Sequence, residues 1–215
     1  VPGHRPDRFE KAGRSGADAI VLDLEDGVPE ASKGAARVAI EEQWQPLQSY
    51  GVPVLVRINA RETNAGEEDV AWLGRLSPPS AILVPKAESP QSITWVHQVL
   101  RGIPVLPIIE SAAGYACLST LASTAGVMRL VIGHLDFMAD TGLRCDDEQS
   151  ELAPLRFAVA MAARLHHLAP AVDGVTEQFG DQQRLRNDVH RALRFGLRGK
   201  LCIHPAQVSI VHDAM

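Results

Sequence analysis

Five short apolar runs, each stopping at a charged residue, constrain this chain more than anything else in it. They are Ile20-Val21-Leu22 ending in Asp23-Leu24-Glu25-Asp26, Val54-Leu55-Val56 ending in Arg57, Ile82-Leu83-Val84-Pro85 ending in Lys86, Val105 to Ile109 ending in Glu110, and Leu130-Val131-Ile132-Gly133-His134-Leu135 ending in Asp136. Continuous β-branched runs of this length read as strands buried on both faces, the hallmark of parallel sheets. Such sheets deliver functional side chains at the C-terminal ends of their strands.

Between the runs lie helix-forming stretches. Pro29-Glu30 opens one rich in Ala, Lys, Arg and Glu that reaches Trp44, and a second is expected around Glu67–Leu76, before Pro78-Pro79. Ser89-Pro90 begins a third, with Ile93, Val96, Val99 and Leu100 along one face. Ser111–Ala122 reads as a short helix and Pro154–Leu168 as a longer one. Leu185, Val189, Ala192 and Leu193 form an apolar stripe stopping at Gly196. Two further strands are expected, at 171–175 and 200–204, which makes seven, with a partial eighth at Val1. Strand–helix repetition of this kind predicts a closed (β/α)8 TIM barrel over residues 1–215 as a single domain. An open doubly wound sheet is the second reading, but no GxGxxG follows the first strand. Only one helix start follows the last strand, so the closing helix, or a C-terminal lid segment, is expected to be incomplete.

At 46% hydrophobic and 22% charged residues the composition is that of a soluble globular protein. No apolar run approaches the roughly 20 residues of a membrane span. A net charge of -5 argues against a nucleic-acid partner. Cys117, Cys145 and Cys202 are odd in number and form no CxxC, which makes the cytoplasm the default location. No signal peptide is visible, although the chain opens at Val1-Pro2-Gly3 without a Met.

The charged strand ends are where chemistry is expected. Glu110 and Asp136 stand at matching positions of consecutive strands, and neighbouring strands lie about 4.8 Å apart, so the two carboxylates can share a hard cation such as Mg2+. Spacing equally allows each to cap the helix that follows it. Asp23 and Glu25 share a strand face and can either orient metal-bound waters or serve as a salt-bridge partner and a loop acid. Arg57 offers a bidentate fork to a substrate carboxylate or to one of these acids, and Lys86 is a second cation on the same rim. Arg5 sits in the Pro2-Gly3-His4-Arg5-Pro6 loop, suited to a phosphate or simply to the surface. Lys33 and Arg37 read as solvated helix residues. No HExxH, GxSxG or Walker loop is present.

Taken in order, the segments resemble the citrate lyase beta-subunit-like proteins of the HpcH/HpaI aldolase superfamily. The matching stretches are VPGHRPDRFEKA at 1–12, GADAIVLDLEDGVPEASKGAAR at 16–37, VLVRINA at 54–60, ILVPKAES at 82–89, VLPIIESAAGY at 105–115, LVIGHLDF at 130–137 and GKLCIHPAQV at 199–208. The resemblance implies a barrel that breaks or forms a carbon–carbon bond beside a thioester. It implies Mg2+ held by Glu110 and Asp136, Arg57 on the keto-acid carboxylate, Glu25 beside the metal waters, and Arg5 with Lys86 near the phosphates of an acyl-CoA. It also implies a homotrimer or hexamer.

The expected activity is cleavage of a short 3-hydroxyacyl-CoA, of citramalyl-CoA or malyl-CoA type, to a 2-keto acid and acetyl-CoA. The alternatives are a citrate lyase beta subunit, or a catalytically weak lid-less assembly subunit. Relatives often carry Glu-Asp where this chain has Leu135-Asp136, and larger ones bring an acid from a C-terminal extension. Asp140 and Asp173 are the candidate substitutes for that acid.

Overall fold

A computed structural model describes all residues from Val1 to Met215. Its centre is a six-stranded, wholly parallel sheet of β1 (Ile20–Asp23), β2 (Val54–Arg57), β3 (Ala81–Val84), β4 (Val105–Ile109), β5 (Arg129–Ile132) and β6 (Ala169–Val172), paired in that order. Two further segments extend the ladder. Pro2 bridges to Asp23 on one side, and Lys200 bridges to Asp173 on the other, both in parallel. Eight segments in chain order make the expected (β/α)8 barrel.

Period-two alternation sorts the strand residues into two cores. Leu55, Ala81, Leu83, Leu106, Ile108 and Val131 pack together with Val21, Val172 and Leu201, which fills the barrel interior from β1 round to the last segment. The alternate residues, among them Leu22, Val56, Ile82, Ile109 and Leu130, face outward into a larger cluster shared with the surrounding helices. The last helix, Ala206–Ala214, returns to the start of the chain, where His212 Nε2 lies 3.3 Å from Asp18 Oδ2.

Helix boundaries follow local chemistry. Thr63 caps the helix Asn64–Leu73 by accepting from the Gly66 amide at 3.0 Å, and Asp181 caps Gln182–Arg194 by accepting from the Arg184 amide at 2.9 Å. The single helix expected over 111–122 is two, Ala112–Ala116 and Leu118–Ala122, separated at Cys117. The strand expected at 200–204 shrinks to the bridge at Lys200. Buried Gln207 reaches back to accept from the Ile203 and His204 amides (2.8 and 3.3 Å), so those groups leave the ladder.

The wall behind β6 holds a second charged cluster. Arg156 Nε donates to Asp173 Oδ1 at 3.1 Å, Lys200 Nζ lies 3.5 Å from Asp173 Oδ2, and all three side chains are 1% exposed. Lys200 Nζ also donates to the Gly174 carbonyl at 2.5 Å. Removing one member of such a set leaves buried charge without a partner. Asp173→Ala is therefore expected to cost about 3–5 kcal/mol of stability, measured by urea unfolding. A loss below about 1 kcal/mol would mean that the two cations find other partners.

Candidate active site

The parallel register creates the centre of the site. Asp23 and Arg57 are directly paired residues at the ends of β1 and β2, so their side chains meet on one rim. Arg57 Nε and Nη2 donate to the two oxygens of Asp23 at 2.7 and 2.8 Å, a bidentate fork. The same Asp23 oxygens accept from the amides of Glu25 and Gly27, both at 2.9 Å, which folds the loop after β1 back over the strand end. Burial alone would raise the Asp23 pKa, but the hydrogen bonds and charge of Arg57 hold it below the usual carboxylate range.

From Arg57 the contacts continue along the rim. Its Nη1 lies 2.8 Å from Glu25 Oε2, and Lys86 Nζ donates to Glu25 Oε1 at 2.7 Å. Glu25 is buried, and its pKa is raised by desolvation in spite of these two cations. Nε and one N–H of Nη2 are committed to Asp23 and Nη1 faces Glu25, which leaves N–H groups on the two Nη atoms for another acceptor. Arg57 thus takes both Asp23 and Glu25 as partners and still keeps N–H groups for an anion.

Lys86 contributes its backbone as well. Its φ of +46° lies in the left-handed region, and its amide donates to Glu110 Oε1 at 2.6 Å. The capping role open to Glu110 belongs instead to Ser111, whose hydroxyl accepts from the Gly114 amide at 3.1 Å. Glu110 is 3% exposed and its Oε2 has no protein donor. Burial, followed by the charges of Glu25 and Asp136, pushes its pKa up to about 8.

Gly133 stands one residue past the β4–β5 pairing of Ile109 with Ile132, beside Glu110, and a Cβ there would collide with Glu110 Oε2. Asp136 is not at a strand end. β5 stops at Ile132, and Asp136 lies in the first turn of the helix His134–Thr141, close enough to Glu110 to raise its pKa.

Other expectations shift. Lys33 and Arg37 are not solvated: Lys33 is buried against the Leu24 and Glu25 carbonyls and Asn59, and Arg37 donates at 2.7 Å to fully buried Asp69 on the helix Asn64–Leu73. Neither candidate acid is free. Asp140 accepts from the Ala112 amide at 2.8 Å, and Asp173 is enclosed by two cations that hold its pKa down against burial. Arg5 forks onto Asp7 at the surface (2.9 and 2.8 Å) and shares no bond with Arg57, Lys86, Glu110 or Asp136.

A divalent cation suits the acidic side of this site. Glu110, a buried residue, offers one carboxylate oxygen that has no protein donor, with Asp136 nearby and glycine at 133 leaving room. No group of three or more His, Cys, Asp or Glu side chains closes around one point. An ion held here would therefore keep most of its coordination to water and ligand oxygens, the habit of Mg2+.

Comparison with known proteins bears on the family and the fold. The model of the family described as HpcH/HpaI aldolase/citrate lyase matches residues 1–205. A citrate lyase subunit beta-like protein of Deinococcus radiodurans is 34% identical over 222 residues, covering 99% of this chain and 77% of the relative. A (3S)-malyl-CoA thioesterase of Cereibacter sphaeroides is 31% identical over 214 residues, with 99% and 74% covered. Among solved structures, the citrate lyase beta subunit from M. tuberculosis complexed with oxaloacetate and magnesium superposes with a TM-score of 0.85 at 29% identity, covering 100% of this chain and 93% of the other.

The raised Glu110 pKa has a signed consequence. Between an ordinary carboxylate pKa and about 8, the folded protein binds a proton that the unfolded chain has lost, so metal-free stability falls as pH rises through that window. A cation must displace the same proton. Mg2+ affinity, measured by calorimetry, is therefore expected to rise about tenfold per pH unit towards pH 8 and level off above it. A flat profile would show Glu110 already ionised.

Proposed function

Because the chain belongs to the HpcH/HpaI aldolase/citrate lyase family, we propose that it is a Mg2+-dependent carbon–carbon lyase. Its substrate would be a short 3-hydroxyacyl-CoA of citramalyl-CoA or malyl-CoA type, split into a 2-keto acid and acetyl-CoA. The observation that carries the reading is one run of rim contacts from a guanidinium to a cation-ready carboxylate: Arg57 lies 2.8 Å from Glu25, Glu25 accepts from Lys86, and the Lys86 amide donates to Glu110. A cation side and an anion-binding side on one rim match a substrate with both a hydroxyl and a carboxylate. The relatives named for malyl-CoA and for citrate lyase with oxaloacetate and magnesium carry those same elements in their names.

Glu110 and Asp136 would hold the ion. A bound Mg2+ supplies Lewis acidity, lowering the cost of deprotonating the substrate hydroxyl and of building up keto-acid charge. Arg57 binds the carboxylate next to that hydroxyl and is itself held by Asp23, so it cannot swing with the substrate. Glu25 keeps Arg57 and Lys86 apart and oriented, and Lys86, half-exposed, adds positive potential on the thioester side. As the hydroxyl loses its proton, the bond between the hydroxyl carbon and the thioester α-carbon breaks. The electron pair passes to the thioester as an enolate, and a proton added at its α-carbon completes acetyl-CoA.

Arg5, at the same rim through the Pro2–Asp23 bridge, would meet a phosphate with the N–H groups that Asp7 leaves free. The reading also includes a homotrimer or hexamer as the working form. No helix is long and apolar enough to cross a membrane.

The test is to incubate the protein and Mg2+ with citramalyl-CoA, malyl-CoA and citryl-CoA and identify the products. Keto acid plus acetyl-CoA supports the lyase. Free hydroxy acid plus CoA would instead make it a thioester hydrolase, and no turnover with metal bound would favour the assembly subunit. Glu110→Ala and Asp136→Ala are each expected to abolish Mg2+-dependent turnover. Arg57→Lys, which loses the planar fork, should lower kcat/KM by about a hundredfold or more.

A further inference from the structure

Behind the rim, a buried polar relay reaches Glu25 from a residue that no substrate can touch. Lys33, on the helix Lys33–Glu42, is 9% exposed. Its Nζ donates to the carbonyls of Leu24 (3.1 Å) and Glu25 (3.3 Å) and to Asn59 Oδ1, so all three ammonium hydrogens are used. The carboxylate nearest to it, Glu30, lies 3.8 Å away on the surface.

Asn59 is equally committed. Its Nδ2 donates to the Leu24 carbonyl at 2.9 Å and to Asp69 Oδ2 at 2.7 Å, and its backbone amide donates to the same Asp69 oxygen at 2.8 Å. Asp69, fully buried, takes Arg37 on its other oxygen at 2.7 Å. A cation with three donors, satisfied by neutral acceptors in the interior, stabilises the fold weakly for what its burial costs. The atoms it holds say more: both carbonyls belong to the peptide groups around Glu25, whose own amide is held from the opposite side by Asp23.

We propose that Lys33 is a positioning residue. By pinning the Leu24 and Glu25 carbonyls it fixes where the Glu25 carboxylate meets Arg57 and Lys86, and so sets the aim of the anion-binding face. This rests on the lyase reading for its functional consequence and on geometry alone for its structural one.

The test is a double-mutant cycle between Lys33→Met and Glu25→Gln in the full chain. Oxaloacetate affinity at saturating Mg2+ and kcat/KM for the best acyl-CoA are the readouts. Lys33→Met alone is expected to weaken both by about tenfold or more, yet by less than about twofold when Glu25→Gln is already present. Equal losses in both backgrounds would overturn the proposal, since a merely structural lysine acts independently of Glu25. If the unsubstituted protein neither binds oxaloacetate nor cleaves any acyl-CoA, the lyase reading fails by itself. The same cycle read on thermal midpoints then decides: non-additive shifts support the positioning link, and additive ones overturn it. Should Lys33→Met not fold, Asn59→Ser, which releases the Leu24 carbonyl from the other side, enters the cycle in its place.

Discussion

The bidentate pair between Arg57 and Asp23 is the interaction on which the rest of the rim depends. Asp23 satisfies four donors at once, two from the guanidinium and two from the amides of Glu25 and Gly27. Those two amides are what turn the chain after β1, so the loop's shape and the arginine's direction are set by one carboxylate. Glu25 then comes to lie between Arg57 and Lys86, and Lys86, through its backbone, reaches Glu110. Opposite charges alternate along the rim. In a partly buried setting this matters, because each desolvated charge is tolerable only while its neighbours remain.

A comparable cluster in the wall behind β6 shows what distinguishes a site from a strut. Arg156, Asp173 and Lys200 are closed off from solvent on every side and leave no route for a ligand. Burial lowers the pKa of Lys200 and then, with Lys200 beside it, that of His134 to about 4, so His134 stays neutral. The rim cluster differs in being unfinished. Arg57 keeps N–H groups, Glu110 keeps an oxygen, and Lys86 is 47% exposed.

Much of this was readable from residue order. Strand ends announced Arg57, Lys86 and Glu110, because an apolar run that stops at a charge must place that charge at the sheet's edge. Alternation within the runs separated barrel interior from outer layer. What escaped was whatever depends on a second element packing across the first. Lys33 and Arg37 look solvated along their own helix, and distant segments bury them: the Leu24–Glu25 backbone and Asn59 around Lys33, and the helix carrying Asp69 beside Arg37. Asp136 looked like a strand end because LVIGHLD is apolar for most of its length, whereas the break at Gly133 moves it into a helical turn. Asp140 and Asp173 read as free acids along the chain because their partners lie 28 and 17 residues away.

The acidic side of the rim carries local costs that are hard to explain as packing. Lys86 is held in the left-handed region without being glycine, a conformation that costs on the order of 1–2 kcal/mol. In that conformation its amide points at Glu110, and the single bond formed there does not offset the burial that raises the Glu110 pKa. Gly133 keeps open the space beside the second oxygen instead of filling it. A core would resolve all three by neutralising or replacing the carboxylate. Left as they are, they describe a carboxylate oriented through one oxygen and without a protein donor on the other, with a second carboxylate nearby. Under the proposed function, a divalent cation would relieve that repulsion and take the second oxygen as a ligand.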